Sequence, residues 1–302
     1  HEHGQHAHDL NDNDQHAHDL RESFAVAQDV LDTVAGQGLI LVWRPHHAPR
    51  QREAVCHEAV ACLLGAGGRL VQLDRFRPHF DRAGLSFNLD VIVAQEALLH
   101  LRACPGARIM LPVAAQSLIA QGWWASYGAL LEQLGIASQV TLLVGGGQGS
   151  NRPALAGATL ARLRGHGMGI GLDGLAGDGH ATREIAIIDP DIVRFAMASE
   201  AAAHPGTGQG LRDAMALAAS RRRQVILADA GLAHALAGLA PDLVPGDLVN
   251  ALDDAAAARA SAVAGDGMAA GDRPRRRWPG LVVLGGLAVS WWLLLPLLRL
   301  VL

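Results

Sequence analysis

The sequence predicts an α/β protein: a parallel sheet or barrel with one antiparallel strand, followed by a C-terminal membrane-spanning helix. Three observations carry this. Short apolar runs of strand length alternate with amphipathic helical stretches from residue 39 to residue 239. The first two runs are joined by a short polar turn, HHAPRQR. A turn of that length closes a hairpin, so one strand runs against the others. The third observation is an uninterrupted uncharged stretch at the end of the chain.

The elements follow in order. Residues 1–20, HEHGQHAHDLNDNDQHAHDL, hold the hexamer QHAHDL twice and six histidines among Asp and Asn. Almost nothing apolar is present to order them, so a disordered polar tail is expected. Neutral imidazoles also bind Zn, Ni or Cu, which gives the same stretch a second reading as a loose transition-metal tail. From Arg21 the pattern changes. Phe24, Val26, Ala27, Val30, Leu31 and Val34 suit a helix that stops at Gly36. Strands are expected at Leu39–Trp43, Ala54–Ala61, Arg108–Val113, Val140–Val144, Met168–Asp173, Ile192–Phe195 and Val225–Ala228. Helices are expected at Leu89–Leu101, Trp123–Leu134, Ala154–Arg164, Leu211–Ser220 and Leu232–Leu239. The resulting division is a histidine-rich tail (1–20), a globular domain (21–252), a linker with a basic end (253–277) and an anchor (278–302).

The anchor rests on PGLVVLGGLAVSWWLLLPLL, Pro279 to Leu298, which contains no charge. At about 1.5 Å per residue this length spans a bilayer core of roughly 30 Å. Trp278 and Arg299 flank it as interfacial anchors, and Arg275, Arg276 and Arg277 mark the cytoplasmic side. The expected placement is a single-pass C-terminal membrane anchor, with the globular domain in the cytoplasm. At the other end the chain opens on histidine, so a cut or incomplete N-terminus is expected, and no secretory signal is visible there.

Composition narrows the function. The chain has 302 residues, half of them apolar, ample for a sizeable core. All 25 basic residues are arginine, so no step can use a lysine amine. The net charge of -4 excludes a broad basic field for nucleic acid. Cys56, Cys62 and Cys104 form no C-x-x-C pair and fit buried thiols in a reducing compartment. His57-Glu58 begins like the H-E-x-x-H metal motif, but position 61 is alanine. On a strand the two side chains also face opposite ways. Arg221-Arg222-Arg223 reads as a solvated helix end that complements the helix dipole. The run GGGQGSN from Gly145 reads as a flexible connector, although its backbone could cradle an anion.

The run GIGLDGLAGDG, Gly169 to Gly179, spells the dinucleotide fingerprint G-x-G-x-x-G. A nucleotide loop needs its glycines after the strand, at a helix N-terminus. Here Met168, Ile170 and Leu172 alternate with Gly167, Gly169 and Gly171, the period of the strand itself. The informative residue is Asp173, at the strand's C-terminal end, where β/α barrels carry their chemistry.

The order of segments across residues 37–250 resembles the EAL family of cyclic di-GMP phosphodiesterases, a (β/α)8-type barrel with one antiparallel strand. LILVWRPHHA is similar to the opening strand, CHEAVACL to the strand with the Glu-Ala-Leu signature, and FRPHFDRAGLSFNLDVIVAQEAL to the helices that follow. RIMLPVAAQSL resembles the strand ending in V-N-x-S, and ATLARLRGHGMGIGLDGLAGDG the approach to L-D-D-F-G-T-G. PDIVRFA and QVILADAG resemble the last two strands. The resemblance implies two divalent metal ions, Mg or Mn, held by carboxylates and an asparagine.

The departures from that pattern are many. Glu58 keeps the signature glutamate and Asp173 the first aspartate of its pair, so these two are the candidate metal ligands. The second aspartate is Gly174, the asparagine falls at Pro112, and Leu142–Gly145 offers no glutamate. The family lysine is Arg194, the last glutamate is the shorter Asp229, and the substrate-gripping arginine is Cys62. Two carboxylates without a neutral oxygen donor do not hold a metal pair. The expectation is therefore a catalytically inactive domain with no cofactor. It would act as a cyclic di-GMP receptor, with Arg44 and Arg194 toward the nucleotide, or as a scaffold for a protein partner. An active phosphodiesterase with rearranged ligands and a metal-handling membrane protein remain alternatives.

Overall fold

A computed structural model describes residues 2–37, 39–48, 53–64, 69–145, 152–176, 179–196, 205–227, 242 and 244–245. The expected helix at 232–239, the linker and the anchor span lie outside the described residues. Among the described residues no helix is long and apolar enough to cross a membrane.

Helix α1 (Glu2–Gln37) precedes the hairpin β1 (Ile40–His47) and β2 (Ala54–Leu64) and the short β3 (Leu70–Gln72). There follow α2 (Arg77–Ala83), α3 (Ser86–Ala103), β4 (Ile109–Ala114), α4 (Gln121–Gln133), β5 (Val140–Gly145) and α5 (Arg152–Gly165). The chain continues through β6 (Gly169–Leu175), α6 (Gly179–Ile188), β7 (Ile192–Phe195), α7 (Pro205–Ser220), β8 (Gln224–Leu227) and β9 (Val244–Pro245). Helix α1 runs through both histidine-rich hexamers. No glycine or proline lies between Gly4 and Gly36, so a helix nucleated on the packed end can propagate outward at little cost per residue.

The sheet has the order β8-β7-β6-β5-β4-β2-β1-β9. Neighbours from β2 to β8 are parallel. Strand β1 is antiparallel to β2, with Arg44 opposite Glu58, as the short turn required. The short β3 is a second antiparallel neighbour of β2. The sheet curls until its ends approach each other. The Asp242 N–H donates to the Val225 carbonyl, and the Asp242 carboxylate accepts from the Val225 N–H. Asp242 therefore ties β8 to the approach of β9, which pairs with β1.

Alternation along the strands sorts the side chains into two cores. Leu111, Leu142, Val144, Ile170, Leu172, Val193 and Val225 face the helices and pack with residues such as Leu89, Leu131, Leu160 and Ile185. Of the adjacent tryptophans, Trp124 is fully buried and donates to the Ser117 carbonyl at 2.9 Å. Trp123 is half-buried and stacks on Tyr127 with ring centroids 5.3 Å apart. On the other face of the sheet, Cys56, Met110, Ile192 and Ile226 form an apolar plug inside the barrel. The interior is thus packed, and chemistry is confined to the C-terminal strand ends.

The glycines of β6 make this packing possible. A Cβ on Gly169 would stand 2.5 Å from Thr141 Oγ1, and one on Gly171 would stand 2.8 Å from a Leu143 methyl. They leave room for β5, as the strand reading predicted. Gly167 differs from that reading: it lies in the turn before β6 with φ +89°, a left-handed conformation that favours glycine. Gly169→Val is expected to destabilise the domain by about 1–3 kcal/mol through overpacking. Urea unfolding checks this, and a variant as stable as the parent would contradict it.

At the opposite end of the barrel the arginine run is more engaged than a solvated helix end. Arg223 pairs with Asp189 at 2.7 Å and Arg221 with the same carboxylate at 3.2 Å. These pairs tie the start of β8 to the turn before β7.

Candidate functional site

Glu58 in the middle of β2, and Asp173 and Arg194 toward the C-terminal ends of β6 and β7, occupy inward-facing positions. Strand alternation sets this: Ile192 belongs to the inner plug, so Arg194, two residues on, shares its face. Closure of the barrel then brings the three together. Arg194 Nε donates to Asp173 Oδ1 and Nη2 to Asp173 Oδ2, a bidentate pair, while Nη1 donates to Glu58 Oε1 at 2.5 Å. One guanidinium therefore joins both of the family-like carboxylates.

Glu58 is buried, with 3% of its surface exposed. Its other oxygen lies 3.0 Å from His46 Nε2 and accepts from Arg44 Nη1 at 3.5 Å. Burial pushes the Glu58 carboxyl up. The His46 hydrogen bond and the Arg194 charge outweigh this and hold it at about 2. Burial likewise disfavours the Arg194 charge, but Asp173 and Glu58 raise its pKa above the ordinary arginine value. Both partners are thus kept ionised. Arg44, with a third of its side chain exposed, stands at the mouth of the same site.

The remaining positions add no hard ligand. Pro112 is half-buried opposite Leu143, and Ala114, two residues on along the same face, pairs with Gly145. Neither carries a side-chain oxygen. A Cβ on Gly145 would stand 3.0 Å from the Asp173 Cβ and 3.1 Å from its Oδ2. A side chain at the end of β5 would therefore press on Asp173 as it is placed. Gly174 adopts φ +69° at the register shift within β6 and carries no side-chain ligand. Cys62 is buried on β2, and burial and Asp74 push its thiol up. Among the described residues no group of three or more His, Cys, Asp or Glu could hold a metal ion. Asp229 lies outside the described residues.

The sequence reading named Glu58, Asp173, Arg194 and Arg44, and the structure brings these four side chains together. That reading missed His46, whose signal was its position on the same strand face as Arg44. It also missed that Arg194 is committed to both carboxylates. His57 and Glu58 alternate along β2, which turns them to opposite faces; the Glu58 carboxylate meets Arg194 inside, and burial, with His47 and His46, pushes the His57 imidazole down.

Behind the site, Asp90 of α3 is fully buried and accepts from Arg77 Nη1 at 2.6 Å, Ser117 Oγ at 2.6 Å and the Ala114 N–H at 2.7 Å. It anchors the end of β4 beside Gly145.

The family model described as EAL domain matches residues 27–229. No curated relative matches the chain. Solved structures share the fold at low identity. An EAL domain protein from Listeria monocytogenes is 13% identical with a TM-score of 0.59, over 72% of this chain and 90% of its own. The Xanthomonas citri FimX EAL domain, solved in complex with c-di-GMP, is 16% identical with a TM-score of 0.60, over 76% of this chain and 94% of its own. Bacillus subtilis YkuI, solved with c-di-GMP and calcium, is 16% identical with a TM-score of 0.60, over 79% of this chain and 63% of its own.

Proposed function

The chain belongs to the EAL domain family, and from that premise we propose that it is a catalytically silent member. In this reading it serves bacterial signalling as a receptor for cyclic di-GMP or as a protein-interaction scaffold. The apolar C-terminal segment tethers it to the inner membrane, with the barrel in the cytoplasm. The observation that carries the proposal is the double engagement of Arg194 with Glu58 and Asp173. Hydrolysis of a phosphodiester needs an activated water and stabilisation of charge on the phosphate oxygens. Divalent ions supply both in a two-metal site. A guanidinium stabilises charge but does not activate water, and here its Nε, Nη1 and Nη2 are each engaged by its own carboxylates.

The fold-sharing FimX domain was solved with c-di-GMP, which supports the receptor form of the proposal. YkuI was solved with the nucleotide and calcium together. The residues present here do not fit such an ion pair, because the surviving carboxylates are already bridged and neither Pro112 nor Ala114 offers an oxygen.

The expected result is no turnover of cyclic di-GMP by the purified chain in Mg²⁺ or Mn²⁺. Hydrolysis dependent on either ion and abolished in Glu58→Ala would overturn the reading in favour of a phosphodiesterase with rearranged ligands. Calorimetry with cyclic di-GMP then separates the two forms of the proposal. Heat of binding marks a receptor, and none at high micromolar ligand marks a scaffold.

A further inference from the structure

The charge balance of the site leads to a second conclusion, which rests on the reading that no metal pair is held there. Glu58 and Asp173 contribute two negative charges. Arg194 and Arg44, both within contact of these carboxylates, contribute two positive ones. These four groups balance one another in formal charge. A divalent ion added to them would bring an excess of two charges into a region where Glu58 is almost wholly buried, which is strongly unfavourable in a medium of low polarity.

We propose that Arg194 is a resident counter-cation that takes the place of divalent metal, so that the stability of the domain does not depend on divalent ions. By the same argument, Glu58 and Asp173 form a latent cation site that opens when the guanidinium is removed. The shape of the group supports this as well as its charge. Nε and Nη2 face Asp173 and Nη1 faces Glu58, so the planar fork fills the space between β2 and the ends of β6 and β7. A lysine at this position would offer a point charge on a flexible stem, not a fork. The arginine charge is also permanent, because its neighbours raise a pKa that already lies far above neutrality. The bridge is therefore a fixed strut. Gly145 lies against it, since a Cβ there would press on the Asp173 side chain at 3.0 Å.

The test is thermal melting of the full-length chain in mild detergent, in EDTA and in millimolar Ca²⁺ or Mg²⁺. The parent is expected to melt at the same temperature in all three. Arg194→Ser should melt lower in EDTA and recover much of the loss in Ca²⁺. The recovery should be absent from the double variant Arg194→Ser, Glu58→Gln. Should Arg194→Ser fail to fold, Arg194→Gln keeps a planar donor without the charge and should show the same gain of a Ca²⁺ response. A parent whose melting temperature rises with the cations, and does so no longer in Glu58→Gln, would overturn the proposal. So would neutral variants at Arg194 that fold and ignore Ca²⁺. A parent stabilised by cations that still fails to hydrolyse cyclic di-GMP sinks this inference and leaves the silent reading standing.

Discussion

Glu58→Ala is expected to cost the domain about 3–5 kcal/mol of stability, because it breaks a buried ion pair and leaves part of the Arg194 guanidinium without its partner. The effect should depend on pH in a defined direction. The Glu58 carboxyl is held at about 2 in the folded state against an ordinary value of 4.5. A depressed carboxylate contributes stability that is fully present above the unfolded value and is lost as pH falls through the folded one. The gap from 4.5 to about 2 corresponds to about 3 kcal/mol. The difference between parent and variant should therefore be constant above pH 4.5 and shrink toward pH 2. Urea unfolding across that range measures it. A difference under about 1 kcal/mol at neutral pH, or one that persists unchanged in acid, would show that Glu58 does not hold the strut in place.

Asp90→Ala should be as damaging, at about 3–5 kcal/mol, although Asp90 lies outside the strand-end site. It is fully buried and receives hydrogen bonds from Arg77, Ser117 and the Ala114 amide. Alanine would strand three donors, one of them charged. Asp90→Asn keeps an acceptor oxygen of the same shape and should cost less. Because Ala114 ends β4 next to Gly145, amide exchange at Ala114 should accelerate in Asp90→Ala well before global unfolding. Unchanged protection at that amide, with stability within about 0.5 kcal/mol of the parent, would refute the role assigned to Asp90.

The two residues differ in how far the sequence reveals them. Glu58 could be singled out because it sits in a strand-like run among segments in a recognisable order. Asp90 sits in an amphipathic helix where a polar residue is ordinary, and nothing local says that it faces inward to meet Arg77 thirteen positions earlier. The same limit applies to whole elements. Strands β4 to β8 were legible because each is a short apolar run between polar turns. Helix α6 was not, since its first residues follow directly on the glycine-rich run.

The sequence by itself determined which side chains are on offer at these positions: Gly174, Cys62, Pro112 and the Leu142–Gly145 run carry no acid, arginine or asparagine, and the chain has no lysine. It also determined the antiparallel hairpin, since the linking turn is too short for a crossover. Only the tertiary structure decided what Arg194 does. Its partners lie on two other strands, one of them 136 positions away in the chain, and strand alternation fixes only that each of the three side chains points inward. Whether a guanidinium meets a phosphate or a pair of carboxylates depends on the curl of the sheet, which sets the distance between β2 and the ends of β6 and β7. That distance is a property of the closed barrel and of no single segment within it.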